Sequence, residues 1–225
     1  MNKLYDDGPE GMTNLGMLPE AERALLGGVL ESGRRLLGAA WAASAARREI
    51  FWINLWQRSG GGEPMAVDGV AGIDVWARDL AARAYAGEGV VCDGYGFIIN
   101  PVGSRQQPWH IDYTMDYSTL FIPLSRLTPE NCTQYVVLPP NPPGAALARV
   151  RTNLDVIDLE ALADACGHLS VRQLLAAPFS IIKMGFGTIH RGVANTGGFE
   201  RVMFWISVNR RPDFLPVEPA VELIR

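Results

Sequence analysis

At 225 residues with 48% of them hydrophobic, the chain can bury one sizeable core, and a single domain over residues 1–225 is expected. Its formal net charge of −4 argues against a sequence-independent grip on nucleic acid, which needs a basic footprint. The most apolar helical stretch, residues 36–46, is too short to span a bilayer, and Asp6, Asp7 and Glu10 stand where a secretory leader would need a basic start.

Residues 1–17 are polar, glycine-containing and aperiodic, and read as a loose arm. From Pro19 onward Leu26, Val29, Leu30, Gly33, Leu37, Ala40, Trp41 and Ser44 recur at the spacing of one buried helical stripe. Residues 50–56 are aromatic and β-branched enough for a strand, which Ser59-Gly60-Gly61-Gly62 ends as a loop. A second helix is expected from Asp74 to Ala86, stopping at Gly87. Residues 1–89 are thus a helical lead-in. Beyond them the pattern changes to short apolar runs separated by Gly, Pro, Asn and Asp, clearest at residues 90–92, 95–100, 118–124, 133–138, 179–184 and 201–208. The predicted fold is mainly β with N-terminal helices, a sandwich or barrel core over residues 90–210 with helices on one side. An insert near residues 140–178 interrupts it. It opens with Pro139-Pro140-Asn141-Pro142-Pro143, a loop because proline donates nothing to a ladder, and continues over residues 154–175 with helical patches.

Three cysteines, Cys92, Cys132 and Cys166, fit no zinc spacing and are odd in number, so reduced thiols in a cytoplasmic protein are expected. Three histidines are present, and two of them fall in Trp109-His110-Ile111-Asp112 and Ile189-His190-Arg191-Gly192. A histidine in a strand is more often a satisfied core residue than a ligand, and His-x-Asp by itself is a weak motif. If His110 and Asp112 lie on a strand, however, the two-residue period puts both side chains on one face, and His190 from a distant strand completes a facial triad. Two histidines and one carboxylate bind Fe(II) and leave three coordination positions open for a co-substrate and O₂. The turn Asn195-Thr196-Gly197-Gly198 makes the strand of His190 and the strand starting at Arg201 expected antiparallel neighbours. A guanidinium held inward beside a metal makes sense if it meets a carboxylate bidentately.

With Pro108-Trp109-His110-Ile111-Asp112, the segment Asn131-Cys132-Thr133-Gln134-Tyr135-Val136-Val137-Leu138-Pro139, and His190-Arg191-Gly192-Val193-Ala194-Asn195 followed by Arg201, the chain resembles the Fe(II)/2-oxoglutarate-dependent oxygenases, and among them the phytanoyl-CoA dioxygenase-like family. The resemblance covers about half the chain, residues 95–208. It implies a double-stranded β-helix (jelly-roll, cupin-like) core, iron on His110, Asp112 and His190, and the far carboxylate of 2-oxoglutarate on Arg201. Two departures stand out. Pro139-Pro140-Asn141-Pro142 replaces a common Pro-Gly-Ser-His, and Gly192 replaces a serine that often follows the distal histidine by two. Asn100 and Thr119, short polar side chains in apolar strands, are the candidates for further co-substrate contacts.

The expected activity is O₂- and 2-oxoglutarate-dependent hydroxylation of a small molecule with release of succinate and CO₂. Asp112 favours hydroxylation over halogenation, since related halogenases carry a small residue there. Two alternatives are a hydroxylase or demethylase of nucleic acid or protein, which the acidic balance disfavours, and a non-catalytic β-helix that binds a ligand. Trp52, Trp56, Trp76 and Trp109 are candidates for pocket walls, although aromatic residues at such spacings are more often core.

Overall fold

The computed structural model describes residues 11–58, 64–112, 116–139 and 156–211. The expected loops at 59–62 and 140–143 lie outside these residues, as do the first ten residues. The elements in chain order are β1 (Met12–Met17), α1 (Glu20–Arg47), β2 (Phe51–Gln57), α2 (Val70–Ala84), β3 (Val91–Asn100), β4 (Tyr117–Pro123), β5 (Thr133–Val137), α3 (Leu159–Cys166), β6 (Ser170–Leu174), β7 (Ser180–Met184), β8 (His190–Gly192) and β9 (Arg201–Asn209). No helix among the described residues is long and apolar enough to cross a membrane.

The helix α1 begins after Pro19, with Glu20 and Glu22 in its first turn and Arg47 in its last, the charge order the helix dipole favours. It ends where Arg48 takes a left-handed conformation, φ 59°, and returns its N–H to the Ser44 and Ala45 carbonyls. Leu26, Val29, Gly33 and Ser44 of the expected stripe are its buried residues, together with Ser32. The helix α2 starts at Val70, a turn before the expected Asp74, because Gly69 at φ +83° supplies the sharp entrance.

The strands form two antiparallel sheets, one of six strands in the order β1-β7-β4-β9-β3-β2 and one of three in the order β6-β5-β8. Alternation within the central strands sorts their side chains to two faces. From β9, Val202, Phe204, Ile206 and Val208 join Leu26, Ile73, Ala77 and Leu80 of the two long helices in one core. The intervening Met203 and Trp205 pack with Ile98, Phe121 and Met184 against Tyr135 of the small sheet. Val136, next to Tyr135, faces the other way and packs with Leu162 of α3. The layers are therefore helices, large sheet, small sheet, helix. Covered on both faces, β4 and β9 are buried along their whole lengths, and each fully buried Phe or Leu contributes about 1.5–3 kcal/mol.

Three expectations need correction. Residues 12–17 are no loose arm but an edge strand on β7. The two runs at 90–92 and 95–100 are one strand, β3, with an irregularity between Cys92 and Gly94. The 154–175 insert holds the expected helix but also β6, which pairs with β5. Both missed strands are edges with little apolar alternation: only Met12 of β1 is buried, and no residue of β6 is. The lead-in thus supplies to the large sheet both β1 and the expected strand at 50–56, which is β2.

Candidate metal centre and cavity

His110 is not in a regular strand. It forms an isolated antiparallel bridge with His190, with His110 N–H donating to the His190 carbonyl at 3.1 Å and His190 N–H donating to the His110 carbonyl at 2.9 Å. That reciprocal pair fixes the two backbones, and the two rings lie with centroids 4.4 Å apart. Each ring is then oriented by its own chain two residues upstream. His110 Nδ1 lies 2.9 Å from the Pro108 carbonyl and His190 Nδ1 3.0 Å from the Thr188 carbonyl. A carbonyl only accepts, so each Nδ1 carries the proton and each Nε2 keeps its lone pair. The Nε2 atoms face Asp112 Oδ1, at 3.9 Å from His110 and 3.6 Å from His190. One ligand atom from each of the three residues fits within a span of 4.8 Å, so the group could hold a metal ion. Burial holds His190 below the ordinary imidazole value, against the opposing pull of Asp112, which keeps the ring neutral at pH 7.

Thr119, a candidate co-substrate contact from sequence, donates to Asp112 Oδ2 at 2.7 Å. It occupies one carboxylate oxygen and leaves Oδ1 toward the histidines. Asn100 sits in the neighbourhood expected for it, but its contact is with Arg201: its Oδ1 accepts from Arg201 Nε at 3.1 Å.

The hairpin expected to bring Arg201 beside His190 does not exist. β8 pairs with β5 in the small sheet, whereas β9 lies between β3 and β4 in the large one. The connection crosses between sheets, held by Asn195 Nδ2, which donates to the Asn100 and Phe199 carbonyls at 2.9 Å each. Arg201 then reaches back across the gap. It is 1% exposed, and its Nη1 donates to the Asn131 and Cys132 carbonyls at 3.0 and 2.8 Å. Its Nη2 is buried without a partner, and no carboxylate pairs with the guanidinium among the described residues. Burial pushes Arg201 down to about 10, still protonated at neutral pH. A buried cation lacking a counter-charge is costly, and this one is aimed at Gly192. A Cβ there would collide with Arg201 Nη2 and Gln107 Oε1. Gly192 thus leaves room for the Arg201 guanidinium and for Gln107 beside it.

The triad lines one side of a cavity of about 390 Å³ between the sheets, with Ile98, Phe121 and Met203 as apolar wall. Side-chain exposures of 20% for His110 and 24% for Asp112, against 6% for His190, show which side faces the opening. Of the four tryptophans considered from sequence, Trp52 lines the cavity. Trp76 packs on Phe204 in the helix-side core, and Trp56 stacks on Tyr95. Trp109 lies under Arg191. Sequence reasoning missed Gln107, which accepts from Gly192 N–H at 2.9 Å, and Trp205 and Ser207 in the cavity wall. Parity along β9 could have found the last two: they share a face with Arg201.

No protein-family model matches the chain, and no curated protein matches it in sequence. Solved structures match it in fold. EvdMO1 superposes over 88% of this chain with a TM-score of 0.54 at 19% identity, and the chain spans 47% of that protein's length. The non-heme alpha-ketoglutarate-dependent carbocyclase SnoK from nogalamycin biosynthesis matches over 89% of this chain and 80% of its own, with a TM-score of 0.61 at 16% identity. EctD from S. alaskensis, in a structure with bound Fe, matches over 89% and 73% with a TM-score of 0.54 at 20% identity. What the chain shares with these proteins at such identities is the fold, and within that fold it carries a two-histidine, one-aspartate cluster.

Proposed function

We propose that this protein is a non-haem Fe(II)- and 2-oxoglutarate-dependent dioxygenase that hydroxylates a small molecule, releasing succinate and CO₂. The observation that carries the reading is the reciprocal His110–His190 bridge, with both Nδ1 atoms tied to carbonyls and both Nε2 atoms turned on Asp112 Oδ1 beside the cavity. His110, Asp112 and His190 would hold iron, and the orphaned Nη2 of Arg201 fits the far carboxylate of 2-oxoglutarate. When bound, the iron couples oxidative decarboxylation of 2-oxoglutarate to oxygen insertion, one atom of O₂ entering succinate and the other a substrate C–H bond.

The chain's own residues prepare that chemistry. Thr119 holds Asp112 by the oxygen turned away from the histidines, and Asn100 fixes Arg201 through Nε while Nη2 stays unpaired. Ile98, Phe121 and Met203 keep water from the cavity wall. Asp112 supplies a carboxylate ligand, which favours hydroxylation over halogenation. We read residues 1–225 as a single oxygenase domain with a double-stranded β-helix core. The affinity to phytanoyl-CoA dioxygenase-like proteins rests on the sequence motifs around His110 and His190. The three unbridged thiols fit a reducing, cytoplasmic setting. Anaerobic titration with Fe(II) and then 2-oxoglutarate tests the proposal: a weak visible charge-transfer band saturating at one chelate per chain is expected, and its absence would overturn it.

A further inference from the structure

The cavity carries information about the substrate that the metal site does not. Across the large sheet its wall advances strand by strand. Thr119 and Phe121 of β4 stand under the metal ligands, Thr119 bonded to Asp112 and the Phe121 ring 6.1 Å from that of His190. In the next strand Ser207 lies opposite Thr119, and Trp205 opposite Phe121. In β3 the residues opposite Ser207 and Trp205 are Gly94 and Gly96. Ile98 keeps its side chain on that face of β3, but the two glycine positions before it are crowded. A Cβ on Gly94 would sit 3.3 Å from Trp205 Cη2, and one on Gly96 would collide with the Ile53 carbonyl. The two glycines let the indole of Trp205 lie down on β3 as a flat platform. Trp52 of β2 closes the far side, its ring 6.3 Å from Trp205 in an edge arrangement, and it is 49% exposed. From β4 to β2 the wall spans three strand spacings, about 14 Å.

Two neutral polar groups on this wall are unpaired among the described residues. Trp205 Nε1 and Ser207 Oγ are buried without a hydrogen-bond partner among the described residues, and both residues line the cavity. Such groups are costly unless something binds them. No lysine, arginine or glutamate lines the cavity among the described residues, and Asp112 is its one ionisable carboxylate. Away from the triad and Arg201, a phosphate, carboxylate or ammonium group on this wall would be desolvated with no counter-charge.

We infer that the substrate is an uncharged, flat ring compound bearing oxygen, which stacks on Trp205, meets Trp52 at its outer edge, and bonds Ser207 Oγ while its near edge faces the triad. This deepens the oxygenase reading and rests on it for the reaction, but the recognition is testable by binding alone. Equilibrium dialysis of the full chain is run with four probes of one size: naphthol, naphthalene, naphthoate and decahydronaphthol. Naphthol is expected to bind at least tenfold more tightly than the anionic naphthoate or the puckered decahydronaphthol. Ser207→Ala should weaken naphthol roughly five- to tenfold, as loss of one hydrogen bond predicts, and leave naphthalene unchanged, which a collapsed fold would not do. Equal or tighter binding of naphthoate would overturn the absence of charge, and equal binding of decahydronaphthol would overturn the flat platform. Failure of all four to bind at their solubility limits would overturn the inference as a whole. The wild-type Fe(II) and 2-oxoglutarate titration reports separately: naphthol binding without the chelate band would leave the recognition standing and remove the oxygenase reading.

Discussion

The two ends of the site are built by opposite means. At the proposed metal end His110 and Asp112 are partly exposed, and the two imidazoles are oriented by neighbours two residues away, Pro108 and Thr188. At the arginine end a nearly inaccessible guanidinium stands at the start of a nine-residue strand, and its partners lie on distant segments, at Asn100, Asn131 and Cys132. The difference is physical. Metal ligands that must leave coordination positions open tolerate solvent, whereas a buried cation with one bonding group to spare is poised for a single anion. Local contacts therefore orient the two imidazoles, which a long-range bridge brings together, whereas the arginine end rests on tertiary contacts alone.

Breaking the metal end should have the largest effect. Replacing His110, Asp112 or His190 by Ala should each reduce Fe(II)-dependent succinate formation to background while far-UV circular dichroism stays native, since each removes a ligand from a packed β framework. Full turnover in any one of them would sink the triad assignment. At the other end, Arg201→Lys keeps the charge but loses the planar fork. The KM for 2-oxoglutarate should rise roughly ten- to a hundredfold, about 1.5–3 kcal/mol, with Fe(II) affinity little changed. An unaltered KM in both Lys and Ala variants would place the co-substrate elsewhere.

Gly192 ties the two ends together, two residues past one ligand and against the guanidinium. Overpacking by Gly192→Ala should cost about 1–3 kcal/mol in urea unfolding, and it should raise the 2-oxoglutarate KM more than it lowers Fe(II) affinity. The reverse order would show that position 192 serves the metal end. The smallest effect is expected from Thr119→Val, which frees Asp112 Oδ2. Fe(II) affinity should drop about tenfold with the KM for 2-oxoglutarate hardly moved. A change in KM alone would instead assign Thr119 the direct co-substrate contact expected from sequence.

How much of this was legible in the sequence follows the same division. His110 and Asp112 could be placed on one side from their spacing, because the relation is local, even though the structure has a bridge there and no strand. Arg201 was found for a reason that does not hold: the turn at 195–198 looks like a hairpin, yet it carries the chain from one sheet to the other. Thr119 was visible as a misplaced polar residue, but its partner depends on cross-strand neighbours that no one-dimensional pattern contains. Central strands showed themselves through continuous apolar runs. The edge strands β1 and β6 did not, because their stability comes from backbone pairing with little side-chain burial. Trp205 and Ser207 lay within reach, since alternation from Arg201 already assigns them to the inner face.

The central claim is that the triad and Arg201 grip one molecule together. Calorimetry of 2-oxoglutarate binding with and without Mn(II) as a redox-silent stand-in for iron tests it most directly, because two sites that share a ligand must show reciprocal coupling. The expected result is 2-oxoglutarate binding at least tenfold tighter with Mn(II) present, the metal equally tightened by 2-oxoglutarate, and weaker ternary binding in Arg201→Lys. Equal 2-oxoglutarate affinity with and without the metal would contradict a single shared site.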